Sequence, residues 1–150
     1  MKIKGIDHKW LLAVLIVMTA ALVAVYIYQT RDMRYAKKIY FKNDDALAQA
    51  VEDYKGIAIG GSVYTTDVLL TDPDGEDMTC YMRAESNDKG DARVLITIKE
   101  KSLGDLKAER WYLVYEDEGC KDGLKGAKGW SGYGRINDSW SVWRYRGETG

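Results

Sequence analysis

Histidine is almost absent from this 150-residue chain: there is one, at position 8. A catalytic site or metal centre built on several imidazoles is thereby excluded. Two cysteines, Cys80 and Cys120, are too few for a four-cysteine zinc site. Proline and phenylalanine occur once each. Neither sign of charge dominates, since Lys+Arg number 22 and Asp+Glu 23. A general nucleic-acid binder would be strongly basic. The apolar content is carried instead by 11 Tyr and 5 Trp, alongside 15 Gly. Those residues suit strands and tight turns better than a helix bundle.

One long hydrophobic run stands out. Residues 10–28, WLLAVLIVMTAALVAVYIY, contain no charge, and Thr19 is their clearest polar group. A helix of this length spans about 28 Å, close to the thickness of a bilayer's hydrocarbon core. Trp10 stands at one end and Tyr26 and Tyr28 at the other, where amphipathic rings favour the headgroups. A cleaved signal peptide is the rival reading, with Thr19 and Ala21 at the cleavage positions, but the apolar run continues for seven more residues. A buried core helix would need a surrounding protein, and the remaining sequence is too polar to supply one.

Lys2, Lys4 and Lys9 precede the run, and Arg31, Arg34, Lys37, Lys38 and Lys42 follow it. The positive-inside count is nearly tied, leaning slightly to a cytoplasmic C-terminal side. The short tail and the even number of cysteines favour the opposite orientation, in which the soluble part lies outside the cytoplasm. That orientation is the expectation here. The basic residues beside the span read as a collar that touches lipid headgroups.

The organisation expected is a short basic tail (1–9), a transmembrane helix (10–28), a basic juxtamembrane stalk (29–43), a β-rich soluble domain (44–146) and a flexible tail (147–150). Charge is segregated along it. Residues 1–42 carry net +6, 43–118 carry −10 and 119–150 carry +3. The acidic middle reads as a solvated surface.

Asn43-Asp44-Asp45 resembles a helix start, with acids in the first turn favoured by the helix dipole. Leu47, Ala50, Val51 and Tyr54 recur at helical spacing, and Gly56 sits where such a helix would stop. From Ile57 the period becomes two, and Gly60-Gly61 predict a bulge or bend. Asp72-Pro73-Asp74-Gly75 and Asn87-Asp88-Lys89-Gly90 are turns. Alternation at Met78, Cys80 and Met82, at Val94, Ile96 and Ile98, and at Trp111, Leu113 and Tyr115 predicts three further strands. Residues 102–108 could hold one helical turn. Ser139–Tyr145 form the last strand or hairpin.

The segment YKGIAIGGSVYTTDVLLTDPDG resembles the opening of membrane-anchored or periplasmic OB-fold domains, in which a KG-led, glycine-containing strand runs into a turn. The resemblance covers residues 54–116. It implies a five-stranded barrel, here preceded by one amphipathic helix. Another antiparallel sheet-plus-helix domain is the alternative.

Cys80 and Cys120 are expected to form a structural disulfide in an oxidising compartment, with two reduced thiols as the alternative. They are not a redox pair, because no C-x-x-C unit is present. The acids at 72, 74, 76 and 77 miss calcium-loop spacing and read as a hairpin turn. The most distinctive stretch is KGWSGYGRINDSWSVWRYR. Trp130, Tyr133, Arg135, Trp140, Trp143, Arg144 and Tyr145 are the candidate binding residues, because rings can stack on bases or sugars and nearby cations can hold phosphates. A core role for some of the rings and a protein-contact surface are the other readings. No nucleophile is placed beside a base, and neither a catalytic set, a cofactor nor a metal is expected.

The function expected is therefore non-enzymatic. A single-pass protein of the inner membrane presents a small β-rich domain to another envelope protein, in a secretion, pilus, transport or phage-related assembly. One alternative is an OB-type module for oligonucleotide or glycan. Another is a pilin-like filament subunit, with Lys4-Gly5 as a processing site.

Overall fold

The computed structural model describes residues 7–57, 62–121 and 123–148. The elements are α1 (His8–Lys42), α2 (Asp44–Ile57), β1 (Val63–Thr71), β2 (Asp77–Ser86), β3 (Ala92–Gly104), β4 (Lys107–Glu116), β5 (Trp130–Arg135) and β6 (Trp140–Glu148), with a short 3₁₀ turn at Glu118–Cys120. Two compact units divide the chain between Arg34 and Tyr35.

The first unit is the apolar part of α1. Its most apolar window has mean hydropathy 2.6 and none of it is covered by protein. The Thr19 hydroxyl donates to the Leu15 carbonyl at 2.8 Å, so the run's polar side chain is satisfied within the helix. Hydrocarbon requires that kind of internal partner.

The second unit is built on one antiparallel sheet of six strands, in the order β1-β2-β3-β4-β6-β5. The helix periodicity is realised: Leu47, Val51 and Tyr54 are buried on α2. Alternation is realised too, with Cys80 and Met82 buried and Thr79, Tyr81 and Arg83 exposed along β2. Asp72 makes the first hairpin turn by accepting the Asp74 and Glu76 amides on one carboxylate oxygen, each at 2.9 Å.

Three expectations are corrected. Residue 57 ends α2 instead of opening a strand, and the first strand starts at Val63. The bulge expected at Gly60-Gly61 lies outside the described residues. Residues 102–108 are not helical but the tip of the β3–β4 hairpin, where Gly104 pairs with Lys107. Asp105 and Leu106 hold φ of +45° and +61° there, which is what a two-residue hairpin loop of this hand demands. The barrel is the third: six strands form an open sheet, and among the described residues β1 and β5 remain its two edges.

The end of α1 packs across one face of the sheet, here called the concave face. Asn137 donates to the Tyr40 hydroxyl at 2.8 Å, and the Tyr40 ring lies 5.6 Å from that of Trp140 on β6. Asn43, three residues on, bonds Thr71 on β1. Those strands are four places apart in the sheet. Ala36 and Ile39, on the turn before Tyr40, are fully buried. The face away from α1 is here called the convex face.

The convex face has its own small core. Leu124, from the segment after β4, packs with Leu95 and Val114, flanked by Tyr112, Trp130 and Trp143. This explains why Val114 is buried although it lies opposite in parity to Leu113.

Candidate functional site

The hairpin β5–β6 carries all seven candidate residues, but strand alternation sends them to different faces. Trp140 is buried on the concave face, between Tyr40 and Tyr115, with ring centroids 5.6 and 5.5 Å away. Tyr133 and Arg144 share that face further along. The Arg144 guanidinium lies 5.4 Å from the Tyr133 ring centroid, and the Trp111 indole donates to the Tyr133 hydroxyl at 3.2 Å. Trp130, Trp143 and Tyr145 lie on the convex face. Trp130 stands 5.1 Å from both Tyr112 and Tyr145, centroid to centroid. Arg135, largely exposed at the end of β5, pairs with Asp138 at 3.5 Å.

A glycine is demanded beside these rings, and it is not Gly132, where a Cβ would meet the Trp143 ring at an ordinary 3.5 Å. Gly129 holds φ of +85°, and a Cβ there would fall 2.7 Å from the Arg146 carbonyl oxygen and 2.8 Å from the Tyr145 ring. The glycine before Trp130 is thus a packing requirement of the hairpin.

A cleft of about 610 Å³ remains between this hairpin and the 3₁₀ turn. It is lined by Tyr133, Arg135, Trp143, Lys121, Glu116 and Glu118, among others. Its charges are engaged locally. Glu116 accepts from Arg93 at 3.0 Å, and Lys121 pairs with Glu118. Rings and carboxylates side by side suit a neutral polyhydroxylated ligand better than a phosphate chain.

Elsewhere, ionisable groups tie elements together. Buried Glu109 receives Arg144 at 3.3 Å and Arg146 at 2.9 Å. Lys55 on α2 donates to the Tyr115 hydroxyl at 2.9 Å, and that hydroxyl donates to Asp117 at 2.6 Å. The other Asp117 oxygen accepts the Ala92 amide at 2.8 Å. Burial opposes ionisation of Asp117, but Tyr115, the Ala92 amide and Lys55 outweigh it and hold its carboxyl below the usual range. The bond to Tyr115 raises Lys55, and burial with the Asp117 bond raises Tyr115. A raised tyrosine is poorly suited to proton abstraction, so this trio clamps α2 to β4.

The disulfide is not formed; both cysteines are free thiols. Cys80 lies six residues before Ser86 on β2, and Ser86 pairs with Ala92. Cys120 instead sits beside Asp91, donating to its carbonyl at 3.4 Å. Six strand residues separate the two levels by about 20 Å, whereas a disulfide needs Cα atoms within about 7 Å. Burial pushes the Cys80 thiol up to about 11 and also raises Cys120.

Asn43 immediately precedes α2, as the sequence pattern expects, and its carbonyl accepts the Leu47 amide at 2.9 Å. Its side chain does something the pattern does not state: its amide donates to the carbonyls of Ile39 and Thr71, each at 2.8 Å, and its oxygen accepts the Thr71 amide at 2.7 Å. No local signal predicts a partner 28 positions away.

Comparison of the chain with known protein families, with characterised proteins and with solved structures finds no match.

Proposed function

We propose that this protein is a non-enzymatic, single-pass membrane protein that presents its β-sheet domain outside the cytoplasm to another protein of the envelope. The observation that carries the reading is the uncovered apolar length of α1: it meets the requirement for a span, and no part of its apolar window is covered by protein. The domain's ionisable groups support the non-enzymatic part. They pair with one another, as Glu109 does with two arginines and as Glu116 does with Arg93 at the cleft. The cysteines, lying apart, no longer argue for an oxidising side, so orientation is decided by labelling.

The full chain in membrane vesicles tests this. Carbonate washing should leave it in the pellet. A membrane-impermeant maleimide applied to intact cells should label half-exposed Cys120 and spare buried Cys80. Release by carbonate would remove the anchor, and labelling only after the cells are opened would reverse the orientation. In-membrane crosslinking should couple the chain to a second envelope protein; crosslinks to lipid alone would end the protein-contact reading.

The cleft beside Tyr133 and Trp143 supports a second reading, a glycan-binding module. Its test is quenching of tryptophan fluorescence by neutral oligosaccharides. That quench should be insensitive to salt, whereas a salt-sensitive quench by single-stranded nucleic acid would favour an oligonucleotide.

A further inference from the structure

The two edges of the sheet are not alike. β5 is blunted: it has six residues, two glycines and a register shift between Gly132 and Gly134. β1 has nine residues, about 30 Å of strand, paired to β2 without a break from Val63–Glu85 to Thr71–Asp77. It contains no proline, no lysine and no bulge, and Asp67 is its one charge. Among the described residues no strand lies on its outer side. An edge of this length with a single charge is a template for another strand.

A cleft of about 430 Å³ runs between this strand and α2. Ala46 and Ala50 form its helix wall with little bulk, and Tyr64, Thr66 and Val68 form its floor. Ile57, at one end, is 56% exposed. On the opposite face of the strand Val63 and Leu69 are 56% and 62% exposed. A strand added to β1 would send alternate side chains into the cleft and the others beside Val63 and Leu69.

Charge selects the occupant. Asp53 lines the cleft and α2 carries Asp44, Asp45 and Glu52 besides, whereas Asp67 shares the opposite face of β1 with Val63 and Leu69. The one lysine of α2, Lys55, is engaged with Tyr115 and Asp117 on the other side. The walls are therefore apolar at the base and acidic at the rim.

We infer that β1 and α2 form a strand-addition groove for an extended segment of a partner protein, with apolar side chains at every second position and lysine or arginine at its ends. This rests on the protein-contact reading and names the surface and the chemistry of the partner. Main-chain hydrogen bonds to β1 supply affinity, the cleft selects apolar side chains, and Asp53 with the other acids of α2 selects the basic flanks.

The probe is a fluorescein-labelled nonapeptide, Lys-Val-Ser-Val-Thr-Val-Ser-Val-Lys, titrated by anisotropy into the full chain in detergent micelles. A second peptide has glutamate at both ends. The lysine peptide should bind saturably and more tightly than the glutamate peptide. Ala50→Trp fills the cleft from the half-exposed side of α2 and should weaken binding by about tenfold or more. The variant D53K should remove the preference for the lysine peptide. Near-ultraviolet circular dichroism checks that each variant is folded. Equal binding of both peptides, or binding untouched by Ala50→Trp, overturns the proposal. So does a dimer in sedimentation that Ala50→Trp abolishes, since a second copy would then be the occupant. If crosslinking to an envelope protein survives Ala50→Trp undiminished, the groove fails while the protein-contact reading stands.

Discussion

Asn43 offers the sharpest test of how the sheet is held on its helices. Its side chain makes three hydrogen bonds, two of them to both backbone groups of Thr71 on edge strand β1. It is 7% exposed, so water cannot easily replace what is removed. Asn43→Ala orphans the Thr71 amide and carbonyl, at about 1–3 kcal/mol for each unsatisfied buried group. A total of about 3 kcal/mol is expected, roughly a hundredfold in the folding equilibrium. For a unit of this size the melting temperature should fall by about 10 °C. The assay is thermal and guanidinium unfolding of the full chain in micelles, followed by near-ultraviolet circular dichroism. Asn43→Asp separates the two roles. Aspartate is a good helix cap, so a capping role would leave stability almost unchanged. In the observed arrangement its carboxylate would face the carbonyl oxygens of Ile39 and Thr71. The aspartate variant should then be at least as unstable as the alanine variant at neutral pH, and recover as acid protonates it. A loss below about 0.5 kcal/mol for Asn43→Ala, or a stable aspartate variant at pH 7, would refute the reasoning.

Other outcomes follow from the same geometry. Trp140→Ala should cost about 3–5 kcal/mol, because it empties a site enclosed by Tyr40 and Tyr115, whereas Arg135→Ala at the exposed end of β5 should cost under about 0.5 kcal/mol; equal losses by guanidinium unfolding would contradict the burial pattern. Leu106→Gly relieves a left-handed leucine at a hairpin tip and should raise stability by about 1 kcal/mol, read from the denaturation midpoint. Asp117 has a lowered carboxyl, so its contribution is complete above the unfolded carboxylate range and is lost as pH falls through its folded value. Asp117→Asn should therefore be destabilised against the native chain at pH 7, with the gap narrowing in acid; a gap that widened below about pH 4 would reverse the sign assigned to it.

The long apolar helix, the amphipathic helix and the alternation along β2, β3 and β4 were legible because each is a local pattern. Nineteen uncharged residues, or Leu47, Val51 and Tyr54 at helical spacing, state their own environment whatever the rest of the chain does. The short helix expected at 102–108 failed because Asp105-Leu106 is an uncommon pair for a left-handed hairpin loop, stabilised by strand pairing on both sides.

Of the candidate site, the sequence determined which residues sit on one hairpin, and that glycine would alternate with rings. Tertiary structure alone decided that the hairpin's two faces belong to different cores, so that Trp140 and Trp143 point apart. It also decided that Cys80 and Cys120 stand at different levels of the sheet, that Asn43 reaches β1, and that β1 is left as an edge beside α2. The physical reason is common to all four. Strand order and the packing of helix on sheet arise from contacts between residues distant along the chain, and no periodicity of neighbouring residues encodes those distances.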